Sequence, residues 1–284
     1  MQIHLHTLCW NDADMLPFFF RHYDSFVSKY FIFDDNSVDD SVELMRGHPN
    51  VEVAPLLRCD PDSFALSELS ISNECWKHSR GRADWVIVID IDEHLFHPNL
   101  PALLMHYKAL GVTIVPALGY QMISENFPHP DDGLLCGTLT EGAPWDIYSK
   151  LALFDPAAIS DIDYGVGRHR ANPTGRVIAP SHDELLLLHY KFLGFERTHA
   201  RHQQQRLGLR TKDLENNWGY QYTWSEEEFR QTWDEFARNL VNVRSDVAVV
   251  SYPVPRWWDP FRYRDRTTHR TALPAVRRRH SETQ

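Results

Sequence analysis

The chain has 284 residues, 43% of them hydrophobic, with only 13 Gly and 17 Pro, a composition that excludes a disordered or fibrous chain and allows a large buried core. A formal net charge of −10 excludes a general nucleic-acid binder, and the four cysteines, Cys9, Cys59, Cys75 and Cys136, fall in no metal-ligand spacing and read as reduced thiols. No apolar run approaches the roughly 20 residues that span a bilayer, and the opening Met1-Gln2-Ile3-His4 lacks the basic and apolar regions of a secretory signal, so a cytoplasmic protein is expected.

Residues 3–9 run apolar like a strand, Asp12 or Asp14 can cap a helix carrying Leu16, Phe19, Phe20 and Tyr23, and residues 30–33 form a second short strand. That is a β-α-β unit. The second strand ends in Asp34-Asp35-Asn36-Ser37-Val38-Asp39-Asp40-Ser41, which suits a solvated turn and the N-cap of a helix through Val42, Leu44 and Met45. Residues 51–53 read as a third strand, and a helix through Leu66, Leu69, Ile71 and Trp76 ends near Gly81. Alternation of this sort predicts a mostly parallel, doubly wound sheet flanked by helices.

The next strand is the most telling. Trp85-Val86-Ile87-Val88-Ile89 is wholly apolar, as in a strand buried on both faces of a parallel sheet, and it stops on Asp90-Ile91-Asp92-Glu93. Ligands of open α/β sheets bind where such strands leave the core. Two N-caps would be a plainer reading of Asp90 and Asp92, but three clustered carboxylates repel one another unless something cationic sits among them. The motif therefore predicts a phosphate-bearing ligand carried with a divalent cation.

The second half is less regular. Residues 112–116 and 149–154 read as strands, separated by a long turn-rich loop at 121–145 whose Glu141, with Asp146 just beyond, touches an acceptor or nothing. Residues 185–191 form another apolar strand, and His189, preceded by four leucines, is a ligand or a satisfied core histidine; His48, His78, His129, His199 and His202 read as surface. A helix over about 196–209 and one opened by the capping box Ser225-Glu226-Glu227-Glu228, with Phe229, Trp233, Phe236 and Leu240 on one face, predict a C-terminal helical layer. From Pro253 the chain turns basic, through Arg277-Arg278-Arg279, which offers peripheral contact with an anionic membrane face, while Trp257, Trp258 and Phe261 are expected on the body.

Four features, in order and spacing, carry a family resemblance: the opening strand with Thr7 and Trp10-Asn11-Asp12; Phe33-Asp34-Asp35-Asn36-Ser37; Asp90-Ile91-Asp92-Glu93; and the paired segments Gly165-Val166-Gly167-Arg168-His169 and His189-Tyr190-Lys191. Over roughly residues 1–240 the chain resembles the GT-A glycosyltransferases, in particular the bacterial family 2-like group. The resemblance implies a GT-A, Rossmann-like domain over residues 1–250, with a nucleotide-binding half (1–115), an acceptor and metal-completing half (116–195) and a helical layer (196–250), followed by a basic extension (251–284). It implies transfer of a sugar from a nucleoside diphosphate donor, UDP-sugar favoured, to a hydroxyl of a glycan, lipid-linked or small-molecule acceptor, in glycan or glycoconjugate biosynthesis. Mn²⁺ or Mg²⁺ would be the cofactor.

Residue by residue, the resemblance points to Asp35 as reader of the nucleobase or ribose, with Thr7 in the same pocket and Asn73 counted among the nucleotide-binding residues. It makes Asp92 the direct metal ligand, sets Asp90 beside metal and ribose, and lets His189 complete the shell. Lys191 or Lys150 would face phosphate. The metal neutralises charge growing on the leaving group, so the remaining need is one base for the acceptor hydroxyl. The usual Glu-Asp pair is missing from residues 161–169, leaving Asp163, His169 or Glu93 as candidates.

Other functions compete. A haloacid dehalogenase-type phosphatase also ends a buried strand in Asp-x-Asp and would use Asp90 as nucleophile, but here the motif continues Glu93-His94 and lies behind a complete β-α-β unit. A sugar nucleotidyltransferase would need a Gly-rich basic opening loop, and residues 7–14 contain neither Gly nor a basic residue. A catalytically silent carbohydrate-binding protein would explain nine Trp and eleven Tyr, yet has little use for clustered acids.

Overall fold

A computed structural model describes residues 1–245 and 255–263. β1 (Ile3–Cys9) leads through α1 (Leu16–Tyr23) to β2 (Lys29–Asp34), through α2 (Ser41–Gly47) to β3 (Val51–Pro55), and through α3 (Phe64–Glu74) to β4 (Trp85–Val88). The four strands are parallel in the order β3-β2-β1-β4. All four side chains of β4 are buried, which is why the strand shows no polar alternation. The chain winds outward from β1 on one side and then crosses to its other side, so the switch point falls between β1 and β4. Sheets of this kind bind ligands outside the carboxyl ends of the strands flanking that point.

The chain continues through β5 (Glu93–Phe96), α4 (Leu100–Leu110), β6 (Ile114–Ser124), α5 (Leu135–Thr138), β7 (Glu141–Pro144) and β8 (Lys150–Phe154). β9 (Ile159–Asp161) and β10 (Thr174–Gly175) form a small ribbon, and β11 (Leu186–Leu193), α6 (Phe195–Gly208), α7 (Thr211–Glu215), α8 (Glu226–Ala237) and β12 (Val241–Asn242) follow. β8 adds antiparallel to β4, then β6, β7 and β12 extend the sheet. β11 runs parallel to β6 and antiparallel to β5, so among the described residues ten strands form one mixed α/β sheet whose central part is parallel and flanked by helices. One hydrophobic cluster runs from Ile3 through Trp85 and Leu153 to Leu193, giving both halves a common core.

The helical layer is built as its sequence pattern predicts. Ser225 and Glu228 close the capping box of α8, and Phe229 and Trp233 pack with Phe192 and Phe195 in a second cluster. α7 is tied to the front of α3: the Asp213 carboxylate accepts from the Ser63 hydroxyl and from the backbone N–H groups of Phe64 and Ala65, all at 3.2 Å or less. A carboxylate there satisfies amides that a helix start leaves unpaired.

Several local expectations are corrected. α1 begins after Met15 without a side-chain cap; Asp12 instead accepts from the Trp10 amide and Arg201, and Asp14 pairs with Arg197. The stretch at 121–145 is not one loop, because β6 runs on to Ser124 and α5 and β7 follow. Trp258 is buried and Trp257 and Phe261 pack on the core, as expected. Arg256 and Arg262, counted with the basic tail, are instead committed to Asp183 at 2.8 and 2.7 Å. The remaining arginines of that tail, with the membrane contact assigned to them, lie outside the described residues.

Candidate active site

Asp90 and Asp92 stand on the turn from β4 into β5, with Ile91 buried between them as its anchor. Glu93 begins β5 and is fully buried. Strand pairing brings the rest of the site to this turn. β11 lies between β5 and β6, setting His189 opposite Glu93 on one side and Gln121 on the other, and the Tyr190 amide donates to the Asp92 carbonyl at 2.7 Å.

The His189 tautomer follows from its partner. The Gln121 amide nitrogen donates to the carbonyls of Met122 and His189, so its oxygen must be the acceptor facing His189 Nδ1 at 2.7 Å. Nδ1 therefore carries the hydrogen, and in the neutral ring Nε2 keeps a lone pair, 3.6 Å from Asp92 Oδ2. Two acceptors facing each other at that distance call for a cation between them, whether a proton or a metal ion. Burial works to raise the Asp92 pKa, but His189 and then Lys191 outweigh it and hold the carboxyl well below its ordinary range. Tyr148 stacks on the His189 ring at 4.2 Å and fixes its plane.

Asp90 has different company. Arg168 Nη2 lies 2.5 Å from its Oδ1, while Nη1 of the same guanidinium donates to Glu68 at 2.7 Å. Lys150 donates to Glu93 at 2.6 Å and stands 3.8 Å from Asp90. Arg168 reaches this buried position from a turn in which Gly167 and Arg168 both take left-handed conformations, φ 69° and 55°. A side chain at Gly167 would come within 2.7 Å of His169 Nε2, so the glycine serves a close approach as well as the turn. Glu68, Asp90, Asp92 and Glu93 thus confront Lys150, Arg168 and Lys191, leaving the cluster one positive charge short when His189 is neutral.

The other side of the switch point is wired by hydrogen bonds. The Asp35 amide donates to the Cys9 carbonyl, and its carboxylate is gripped through both oxygens by Arg58, at 3.1 and 2.6 Å. The acidic turn docks onto the end of β1: Asn11 donates to Ser37 and accepts from Val38, and Asp12 donates to Ser41. Burial, opposed by Arg201, pushes the Asp12 carboxyl up to about 6, and Asp92 adds to the rise, which puts the ends of β1 and β4 within electrostatic reach.

Of the residues singled out from sequence, Asp90, Asp92, Glu93, Lys150, His169, His189 and Lys191 come together here. Asn73 accepts from the Tyr164 amide at 2.8 Å and faces the Tyr164 carbonyl at 3.4 Å. The Thr7 hydroxyl donates to the Leu8 carbonyl at 3.2 Å. Lys150 is spent on Glu93, and Glu93 in turn lacks the access a base needs. Asp163 is exposed, with its carboxylate accepting from Asn172. His169 fits a base: Nδ1 can only donate to the Ile147 carbonyl at 2.8 Å, leaving the Nε2 lone pair free, and burial, then Lys150, lowers its pKa to about 4. Arg168 stands inside the Gly165–His169 segment of the resemblance but carries no role there, and Glu68, Gln121, Tyr148 and Arg58 have no signal in the sequence.

Asp92 and His189 suit a hard divalent cation as a partial shell, one carboxylate oxygen and one neutral imidazole nitrogen, with the remaining positions left to water and phosphate. Among the described residues no group of three His, Cys, Asp or Glu side chains forms a fuller shell. The best-defined hollow on the surface, lined by Phe31, Phe33, Glu52, Ile71 and His78, shares no residue with the acid cluster.

No family model and no curated protein matches the chain. Among solved structures, it is similar to S. aureus TarS 1-349 in complex with UDP, at 14% identity and a TM-score of 0.36, over 56% of this chain and 48% of that one. The same TarS fragment in complex with UDP-GlcNAc matches at 10% identity and a TM-score of 0.39, over 84% and 72%. Glucosyl-3-phosphoglycerate synthase from Mycobacterium tuberculosis, in complex with Mn²⁺, UDP and glucosyl-3-phosphoglycerate, matches at 16% identity and 0.29, over 42% and 44%. The chain spans about half the length of the first of these structures, and at these scores none of them assigns it to a family.

Proposed function

We propose that the chain is a metal-dependent glycosyltransferase of the GT-A type, moving a sugar from a nucleoside diphosphate, UDP favoured, to an acceptor hydroxyl. The observation that carries the reading is the Asp92 and His189 pair at the carboxyl end of β4, where a doubly wound sheet binds its ligand. When bound, Mn²⁺ or Mg²⁺ supplies neutralisation of the charge that grows on the departing diphosphate. Asp92 and His189 would hold it. Lys191, within reach of Asp92, adds positive charge on the same side. Asp35 is the proposed reader of ribose or base, and because its carboxylate is buried and gripped through both oxygens by Arg58, that role requires Arg58 to yield it to the ligand. Asp90 positions the Arg168 guanidinium rather than ligating metal. His169 is placed to take the acceptor's proton on Nε2; its pKa of about 4 keeps that nitrogen unprotonated but makes it a weak base, so the role requires substrate binding to raise it.

Arg168 pairs with Oδ1 of Asp90, which makes that oxygen a poorer nucleophile and weighs against the phosphatase alternative, although Oδ2 stays open. A thermal-shift screen against UDP, GDP, CDP and dTDP, each with Mn²⁺, Mg²⁺ or EDTA, tests the reading. Stabilisation of roughly 2.7 kcal/mol is expected from one nucleotide at a hundred times its Kd, with metal only. No response to any nucleotide would transfer support to the phosphatase or to a silent sugar-binding protein.

A further inference from the structure

Residues 216–224, Asn-Asn-Trp-Gly-Tyr-Gln-Tyr-Thr-Trp, carry four aromatic side chains and no charge. Such density normally marks a core. Here Tyr220 is 57% exposed, and Trp218, Tyr222 and Trp224 are each half-buried. Asn217 and Gly219 both take left-handed conformations, φ 54° and 73°, and fold the run into a tight turn before the short 3₁₀ helix Tyr220–Thr223. A β-carbon on Gly219 would meet Leu209 at 2.9 Å and Tyr222 at 3.0 Å, so the turn is held closely against the layer beneath it. The Tyr220 and Trp224 rings meet edge to face at 5.7 Å.

This turn sits beside the reacting centre. Lys191 donates to the Tyr222 hydroxyl at 3.0 Å and lies 4.6 Å from its ring centroid. Lys191 in turn feels the Asp92 carboxylate, and Tyr148, stacked on His189, feels Tyr222 as well as Asp92 and Asp90. Tyr148 thus lies against His189, and Tyr222 against Lys191 two residues further along β11. Partly exposed aromatic faces offer apolar planes to the C–H face of a pyranose ring, and their hydroxyls, with the Gln221 amide, offer partners to sugar hydroxyls. The run itself carries no charge, and α8 begins straight after it with Glu226, Glu227 and Glu228, so among the described residues Lys191 beneath Tyr222 is the one cation in contact with it, and the acidic helix start disfavours an anionic sugar.

We propose that the turn at 218–224 is the acceptor subsite and that it takes a neutral pyranoside. The proposal rests on the transferase reading above, which requires an acceptor hydroxyl beside Asp92 and His189. The test is saturation-transfer NMR on the full chain with UDP and Mn²⁺ present, using methyl β-glucopyranoside, methyl β-galactopyranoside, methyl N-acetyl-β-glucosaminide and, as an anionic control, glucose 6-phosphate. At least one neutral glycoside should bind in preference to the phosphate. Tyr220→Ala should weaken that binding about fivefold, while Tyr220→Phe, which keeps the ring, should weaken it less than about twofold. UDP–Mn²⁺ affinity should be the same in all three proteins, which checks that each is folded. Nucleotide binding with no glycoside binding, glycoside binding untouched by Tyr220→Ala, or preference for glucose 6-phosphate would each overturn the subsite. Glycoside binding without any nucleotide binding would overturn the transferase reading, and the acceptor role with it.

Discussion

Lowering the pH should unfold this protein through histidines buried in their neutral form. Burial lowers the His22 pKa to about 4, partly opposed by its bond to the Leu95 carbonyl, and burial followed by Lys191 lowers His202 to about 2. His202, expected from sequence at the surface, is instead buried between Phe192, Tyr222 and Phe229 on the inner face of α6, and neither ring nitrogen has a partner among the described residues. In the unfolded chain both would titrate at 6.5. Each folded pKa lies below its unfolded value, so the stability tied to it is present above 6.5 and is lost as pH falls towards the folded value. Between about pH 7.5 and about pH 5 each histidine should remove about 2 kcal/mol. Asp12 acts the other way: raised to about 6 from 3.8, it is relieved of an unfavourable buried charge as pH falls through 6, returning about 1 kcal/mol over the same interval. From these three groups the net loss is about 3 kcal/mol, a large part of a domain's stability, and His6, His94 and His169, also lowered by burial, add to it. Urea unfolding at the two pH values measures it, and His202→Leu should recover about 2 kcal/mol of the loss. Equal stability at both pH values, or a His202→Leu variant that loses as much as the parent, would refute the reasoning.

Asp92→Asn should leave the melting temperature within a few degrees of the parent while abolishing the metal-dependent part of nucleotide stabilisation, as read by the same thermal-shift screen; full retention of that part would remove Asp92 from the cation site. Gly119→Ala should destabilise by at least about 1–3 kcal/mol, because its β-carbon would stand 2.3 Å from the Tyr148 carbonyl carbon, and should also disturb the Tyr148 stack on His189. Chemical denaturation measures the first effect and Mn²⁺ titration with UDP the second. Asp183→Ala strips Trp258, Arg256 and Arg262 of one shared carboxylate and should cost about 3 kcal/mol, with protease cutting near residue 255 as the earlier sign. An unchanged unfolding midpoint would mean that this clasp contributes little.

The parallel half of the fold was legible because its signals are local: period-two or continuous apolar runs, helix starts, and acids where strands end. The second half resisted because its strands are defined by partners distant in sequence. Gln121 read as loop, yet it lies inside β6 and fixes a histidine 68 residues away. The acid cluster was visible at Asp90 and Asp92, but its counter-charges were not, since nothing near Arg168 in sequence says that a guanidinium will be buried against Asp90 and Glu68. Chemical type was readable before geometry, and geometry then redistributed the roles, freeing His169 and committing Lys150.

The bond between Ser63 and Asp213 joins positions 150 residues apart. At about 5–20 residues per second of synthesis, the front of α3 waits roughly 8–30 seconds for the carboxylate that completes it. During that time the N-terminal half leaves the ribosome with its parallel strands present but the Phe64 and Ala65 amides of α3 without their carboxylate, only the Leu66 amide having its local cap on Ser63. A stop codon or stall before residue 213 would therefore yield a chain carrying every acid of the cluster, yet prone to aggregation rather than half-active.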